Sequence, residues 1–381
     1  MTDDRLSSPA RVSTLIERIG PWLLIIPSLI VGMLLVELFC HLFLPLTAVE
    51  GFNVWMRRII FLGGGETIIR NQGDIFTYAP HSDIRNVTAF FSDNDFNIEY
   101  DYKFRTNNLG LVQDADVVPG RESLLLLGDS FTQGLGAEPW FRLVSPEVDK
   151  LGFQAINGGL IGTGFEQWSK LDRFLAANNV RVQKLVVLFI SGDYLRPVWT
   201  FKPGELQCLA DLALCHAEDA YLYRLPPDGE LALGVAKIRM ARTPMINRFA
   251  LKMRVEALLP ASYHIYEFFK DKLKDRALDQ RGETATRAAI SDFIRIYGPG
   301  NVAFIHLPQK EELAHGRPSD LGLRARRSIQ AAGGKLFDGF ERCGLSPENY
   351  YARDDHPTRI GYAKIASCTN EVIKEMLAGA R

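Results

Sequence analysis

Short apolar runs alternate with amphipathic segments along most of the second half of the chain. "SLLLLGD" (123–129) is a continuous apolar run ending in a polar tip, and "KLVVLFISGD" (184–193) and "NVAFIHLP" (301–308) repeat that form. Runs of this length without alternation predict strands buried on both faces. "FQAINGG" (153–159) and "GKLFDGF" (334–340) bring the set to five. Helical patterns separate them. "WFRLVSPEVDKLG" (140–152) reads as a helix broken around Pro146, and "GFEQWSKLDRFLAANN" (164–179) puts Phe165, Trp168, Leu171 and Phe174 on one side. "HPTRIGYAKIASCTNEVIKEML" (356–377) reads as a closing helix. Strands separated by helices imply right-handed crossovers and a parallel sheet, so the expected class is α/β with a central parallel sheet of about five strands. Ligands of such sheets bind beyond the carboxyl ends of the strands.

Two stretches break this rhythm. Between 47 and 120 helical periodicity is weak, while "FNIEYDYKFR" (96–105) alternates Phe96, Ile98, Tyr100, Tyr102 and Phe104 with polar partners, a half-buried strand. We read 47–120 as a linker and strand-containing cap before a main domain over 121–381. From about 194 to 280 a helical insertion interrupts the main domain. Its aromatic and basic part, "RFALKMRVEALLPASYHIYEFFKDKLKDR" (248–276), packs on the core or forms a lid or membrane-surface contact.

The amino-terminal part has a different pattern. Residues 21–46, "PWLLIIPSLIVGMLLVELFCHLFLPL", are apolar except for Glu37 and His41. That exceeds the roughly 20 residues a helix needs to cross about 30 Å of hydrocarbon. No Ala-x-Ala cleavage site follows, so an uncleaved anchor is expected, with 1–20 as a cytoplasmic segment. Trp22 suits an interfacial position, and Glu37 must snorkel outward or meet a partner helix. Arg5, Arg11 and Arg18 precede the span while Arg57, Arg58 and Arg70 follow it, so charge alone leaves orientation open.

Composition changes little in this picture. The 381 residues carry a formal net charge of −1, which gives no electrostatic footprint for nucleic acid. Of five cysteines, Cys40 lies in the span; Cys208, Cys215, Cys343 and Cys368 suit disulfides in an oxidising compartment or four reduced thiols. No Cys-x-x-Cys pair is present, so a zinc or thioredoxin-like site is not expected.

The chemistry concentrates at strand ends. A serine needs a base within reach, a group that orients the base, and donors for a developing oxyanion. Ser130 follows the first apolar run, and Asp129 reads as a turn-supporting residue. His356 lies in "YYARDDHPTRIGY" beside Asp354 and Asp355, where a carboxylate can hold the imidazole. The same Asp-Asp-His-Pro also reads as an ordinary helix cap. "NGGLIGTG" (157–164) can turn backbone N–H groups toward a small anion, or be a tight turn. It lacks the Lys-Ser/Thr ending of a nucleotide loop.

In order, these pieces resemble the SGNH (GDSL-type) hydrolase family over roughly 105–377, and "FRTNNLGLV" (104–112) is similar to the Asn-x-x-Gly segment of its membrane-anchored bacterial members. The resemblance implies a flavodoxin-like three-layer fold. It implies Ser130 as nucleophile, His356 as general base and Asp354 as its orienting carboxylate. The Ser130 and Gly159 amides would form the oxyanion hole, with no metal or other cofactor. Two features depart from the family. Gly192 in "FISGDY" stands where a third-block Asn would donate to the oxyanion, and Arg353 occupies the Asp position three residues before the histidine. Loss of one oxyanion donor costs about 2.7–4 kcal/mol. Arg196 is either a replacement donor or a structural arginine.

Three readings follow. The first is a membrane-anchored serine esterase removing an acyl group; the resemblance implies O-acetyl on an extracellular carbohydrate, and a single-pass inner-membrane protein whose catalytic domain is periplasmic. The second is an O-acyltransferase of polysaccharide modification docking to a membrane partner. The third is a non-catalytic carbohydrate-binding or scaffold protein. None involves nucleic acid.

Overall fold

The computed structural model describes residues 25, 27–39, 42, 58–64, 69–72, 75–91, 96–137, 140–196, 203–216, 220, 222–242, 251 and 259–378. The chain divides into two compact units, 1–55 with 245–275 and 56–244 with 276–381.

The larger unit opens with β1 (Arg58–Gly63), β2 (Ile69–Gln72), β3 (Ile75–Tyr78), β4 (Asp83–Phe91) and β5 (Phe96–Arg105). Then come β6 (Glu122–Gly128), β7 (Gln154–Gly159), β8 (Arg181–Phe189), β9 (Leu222–Arg224), β10 (Val302–His306) and β11 (Lys335–Asp338). The helices are α1 (Ser130–Gln133), α2 (Ser145–Lys150), α3 (Phe165–Ala177), α4 (Pro203–Ala210) and α5 (Leu231–Ala241). They continue with α6 (Pro260–Tyr297), α7 (Lys310–His315), α8 (Asp320–Ala331), α9 (Gly339–Arg342) and α10 (Arg359–Ala378).

Five of the strands form one sheet in the order β11-β10-β8-β6-β7, every pair parallel. Numbered by their own appearance this is 2-1-3-4-5, the flavodoxin-like order. The continuous apolar runs have a simple cause: successive side chains point to opposite faces, and both faces are covered. Leu124 and Leu126 enter one core with Phe131, Trp140 and the α10 residues Ile365, Val372 and Ile373. Leu125 and Leu127 enter the other, with Phe165 and Trp168 of α3, Ile290 and Phe293 of α6, and Ile329 of α8. Each fully buried leucine stabilises this three-layer stack by about 1.5–3 kcal/mol.

A second sheet, β5-β4-β1-β9, precedes the α/β part in sequence except for its last strand. β5 runs antiparallel to β4, with Tyr100, Tyr102 and Phe104 buried and Ile98 left exposed beyond a register shift at Thr88/Ala89. The stretch 194–280 is not wholly helical as expected. Leu222–Arg224, within "AYLYRL", pairs parallel with β1, because its alternating Leu222 and Tyr223 fill both faces of that edge. The helix expected around Pro146 begins after a 3₁₀ turn over Trp140–Leu143, with Pro146 in the first turn of α2, where its missing N–H costs nothing. The closing helix starts at Arg359, since an isolated bridge between Tyr350 and Pro357 keeps His356 in a loop. Disulfides join Cys208 to Cys215 and Cys343 to Cys368.

In the smaller unit, residues 27–39 are helical and expose Leu29, Leu34, Leu35 and Phe39. Glu37 is buried among them and accepts hydrogen bonds from the first-turn amides of Ala261 (2.8 Å) and Ser262 (2.6 Å) of α6. A carboxylate there satisfies helix N–H groups that otherwise lack partners. Among the described residues no helix is long and apolar enough to cross a membrane. The span expected over 21–46 is described only at 25, 27–39 and 42; the remainder, Trp22 and His41 included, lies outside the described residues, as does the segment 1–20.

Candidate active site

The turn that carries Ser130 is built by close packing. A Cβ on Gly128 would stand 1.9 Å from Thr132 Oγ1 and 2.5 Å from the Leu188 carbonyl oxygen, so only glycine lets β6 pass into α1 here. Asp129 caps that short helix, its Oδ1 accepting from the Phe131 N–H at 2.9 Å. Arg196 reaches in from the end of the third strand in the run and places Nη1 3.0 Å from Asp129 Oδ2, 2.7 Å from Asp193 Oδ1 and 3.0 Å from the Thr163 carbonyl. One guanidinium thus ties the turns after β6, β7 and β8 together. Ser130 comes out of this arrangement at the carboxyl edge of the sheet, beside the strand-order reversal between β6 and β8 where such folds place ligands.

The loop before α10 meets it there. His356 Nε2 lies 2.8 Å from Ser130 Oγ, and His356 Nδ1 lies 2.5 Å from Asp354 Oδ1. An ionised carboxylate only accepts, so Nδ1 carries the ring proton and Nε2 accepts from the serine hydroxyl. Burial alone would raise the Asp354 carboxyl's pKa. The charge and hydrogen bond of His356, then Arg58 and Tyr100, outweigh that and hold it well below the usual carboxylate range. Phe131 packs on the imidazole at 5.5 Å between ring centroids. The Tyr351 N–H donates to the His356 carbonyl at 3.0 Å, and Lys310 Nζ donates to the Tyr351 and Ala352 carbonyls, which fixes the loop.

A second Ser–His contact, not singled out from the sequence, lies at the ends of β8 and β10. Ser191 Oγ is 3.0 Å from His306 Nε2, but it donates to Glu312 Oε1 at 2.5 Å. His306 Nδ1 accepts from Arg326 Nε at 2.7 Å, and Arg326 pairs with both oxygens of Asp338. Nε2 must therefore carry the proton, and this histidine has no lone pair to offer the serine. Burial, then the adjacent Arg326, lowers its pKa to about 4. Only the Ser130 contact has the polarity of a general base.

Of the two amides expected to face an oxyanion, that of Gly159 is already engaged. The Gly159 N–H donates to Asn157 Oδ1 at 3.0 Å, and Gly159 sits in β7 opposite Gly128 with its α-carbon against the Thr132–Gln133 backbone. It serves close packing and is not an open donor. Among the described residues, the Ser130 N–H and the Gly162 N–H make no hydrogen bond. Gly162 lies at φ +76° in the turn that wraps the nucleophile, where the Leu160 N–H donates to the Gly128 carbonyl and the Ile161 N–H to Gln133 Oε1. Gly192 leaves open space: a Cβ there would come no nearer than 3.5 Å to Arg196 Nη2 and 3.9 Å to Gln309 Oε1. Among the described residues no group of three or more His, Cys, Asp or Glu side chains could hold a metal ion.

No family model and no curated protein matches the chain. Similar solved structures include a lipase/acylhydrolase from Enterococcus faecalis, at 15% identity and TM-score 0.34, covering 67% of this chain and 96% of that one. An acetyl xylan esterase from Geobacillus stearothermophilus is similar at 12% identity and TM-score 0.32, covering 67% and 95%. A putative GDSL-like lipase from Bacteroides ovatus is similar at 10% identity and TM-score 0.33, covering 86% and 76%. These are distant likenesses, and the chemistry of this site rests on the Ser130–His356–Asp354 distances.

Proposed function

We propose that the chain is a serine ester hydrolase acting on an acyl group, O-acetyl on an extracellular carbohydrate, and that 21–46 anchor it in the inner membrane with the catalytic unit in the periplasm. The observation that carries the chemistry is the relay from Ser130 Oγ through His356 to Asp354, at 2.8 and 2.5 Å. Ser130 Oγ attacks the ester carbonyl carbon as its proton passes to His356 Nε2. Asp354 stabilises the imidazolium. The Ser130 and Gly162 amides donate to the oxyanion. His356 returns the proton to the leaving alcohol as the acyl–oxygen bond breaks, and water then attacks the acyl-enzyme with His356 again as base.

The carbohydrate and the acetyl group come from the sequence resemblance. Two disulfides support an oxidising compartment. The exposed apolar side chains along 27–39 support contact with lipid. The test is acetate release from acetylated oligosaccharides by the full-length chain in detergent. Release that disappears in Ser130→Ala and in His356→Ala is the expected result. Equal release by Ser130→Ala, or none by the wild type, would overturn the hydrolase reading.

A further inference from the structure

The carboxylate that orients His356 is held from outside the α/β part. Asp354 Oδ2, the oxygen facing away from the histidine, accepts from the Tyr100 hydroxyl of β5 at 2.9 Å and is ion-paired with Arg58 Nη2 of β1 at 3.2 Å. Asp354 is 3% exposed, so both contacts act with little solvent screening. Burial keeps the Tyr100 phenol neutral, so it remains a donor. It is packed between Tyr102 and Tyr351, whose rings lie 6.1 and 5.0 Å away. Arg58 opens β1, and its carbonyl accepts from Arg242 Nη1 at 3.2 Å. Both residues belong to the sheet β5-β4-β1-β9.

We propose that Arg58 and Tyr100 are positioning residues of this enzyme: the second sheet completes the catalytic relay by orienting Asp354 and setting how strongly it holds the proton-bearing His356. The inference rests on the serine-hydrolase reading. Its physical content is a competition. An ionised Asp354 stabilises imidazolium, whereas a guanidinium on its far oxygen and a phenol donating to it draw off part of that negative charge. Arg58 is also a like charge to the imidazolium. Both residues therefore weaken the hold of Asp354 on a protonated His356. Tyr102, Tyr351 and Tyr362 also act on Asp354, Asp129 Oδ2 lies 3.4 Å from Ser130 Oγ, and Arg58 is a cation in contact with the Asp354 carboxylate.

The experiment compares full-length Arg58→Met, Arg58→Lys and Tyr100→Phe with the wild type in detergent micelles. The rate of Ser130 labelling by a fluorophosphonate probe is followed from pH 5 to 9. For Arg58→Met the acid limb is expected to move to higher pH by about 0.5–1 unit. Labelling at pH 6 then falls several-fold more than at pH 9. Arg58→Lys should restore the limb, and Tyr100→Phe should move it in the same direction by less. A residue that merely supports the fold would lower the rate equally at all pH values. In parallel, the ring resonance of His356 is titrated by NMR in histidine-labelled protein and identified by its loss in His356→Gln. If the wild type does not label but the His356 midpoint still moves upward in Arg58→Met, the hydrolase reading falls and the coupling to the second sheet stands. Limbs and midpoints that stay in place in both folded variants would overturn the inference, whatever the labelling.

Discussion

At the scale of single residues, two glycines behind the nucleophile have opposite roles. A Cβ at Gly159 would stand 2.2 Å from the Gln133 amide nitrogen and 2.4 Å from the Thr132 carbonyl carbon, both backbone atoms of the nucleophile helix. At Gly192 the nearest atoms lie at ordinary contact distance. Gly159→Ala is therefore expected to destabilise by about 1–3 kcal/mol or more and to cut Ser130 reactivity, whereas Gly192→Ala folds normally. Denaturant unfolding monitored by circular dichroism measures both. Equal stability of the two variants would contradict the packing described for Gly159. Ser130, His356 and Asp354 are each ambiguous alone, and it is the order of their motifs, through its resemblance to the SGNH family, that singles them out. It does not separate Gly159 from Gly162. That distinction depends on where β7 ends: glycine inside a strand packs, glycine at positive φ beyond it presents its amide. The isoleucine–glycine step at 161–162, after an Asn-Gly-Gly that extends the strand, is the signal that was available.

At the scale of elements, the ends of β8, β10 and β11 are joined by a chain from buried Ser191 and His306 to half-buried Arg326 and Asp338, with Glu312 on Ser191. His306 is neutral in the folded state because burial, then Arg326, lowers its pKa to about 4. An unfolded histidine titrates near 6.5, so above that pH neither state binds the proton. As pH falls from about 6.5 toward 4 the unfolded chain gains a proton that the folded chain refuses, and stability drops. The loss is on the order of 3 kcal/mol for this one group. His306→Gln keeps a donor for Ser191 and an acceptor for Arg326 without titrating. Its unfolding free energy, from denaturant titrations at pH 7 and pH 5.5, should fall less with acid than that of the wild type. Parallel slopes would refute the assignment. β6, β8 and β10 were legible because burial on both faces writes continuous apolar runs into the sequence, and β7 and β11 because they fall between helical patterns. β9 was not, since a short strand has too little alternation to stand out inside a region whose sequence pattern reads as helical. The Ser191–His306 pair was also not legible, as its residues belong to strands far apart in sequence.

At the scale of the whole molecule, the groups of the candidate site come from distant parts of the chain. Ser130 ends a strand, His356 and Asp354 lie in the last loop, and Arg58 and Tyr100 come from strands that precede the α/β part. The Cys343–Cys368 disulfide spans the segment that carries Asp354 and His356, joining the end of α9 to the middle of α10. Around Ser130 the fold supplies position, burial and, among the described residues, amides at Ser130 and Gly162 that make no hydrogen bond. Nothing in the apolar pattern at 21–46 bears on this chemistry, and Glu37 answers to a helix terminus in the smaller unit.

The account stands on Ser130 being an activated nucleophile. The most direct measurement treats the full-length chain in detergent with a fluorophosphonate probe and locates the adduct by peptide mass spectrometry. His356→Ala and Ser191→Ala run alongside. The expected result is a single adduct on Ser130 that is lost in His356→Ala and kept in Ser191→Ala. A folded wild-type chain that takes no label, or takes it on another serine, would contradict the reading of this site as a serine hydrolase.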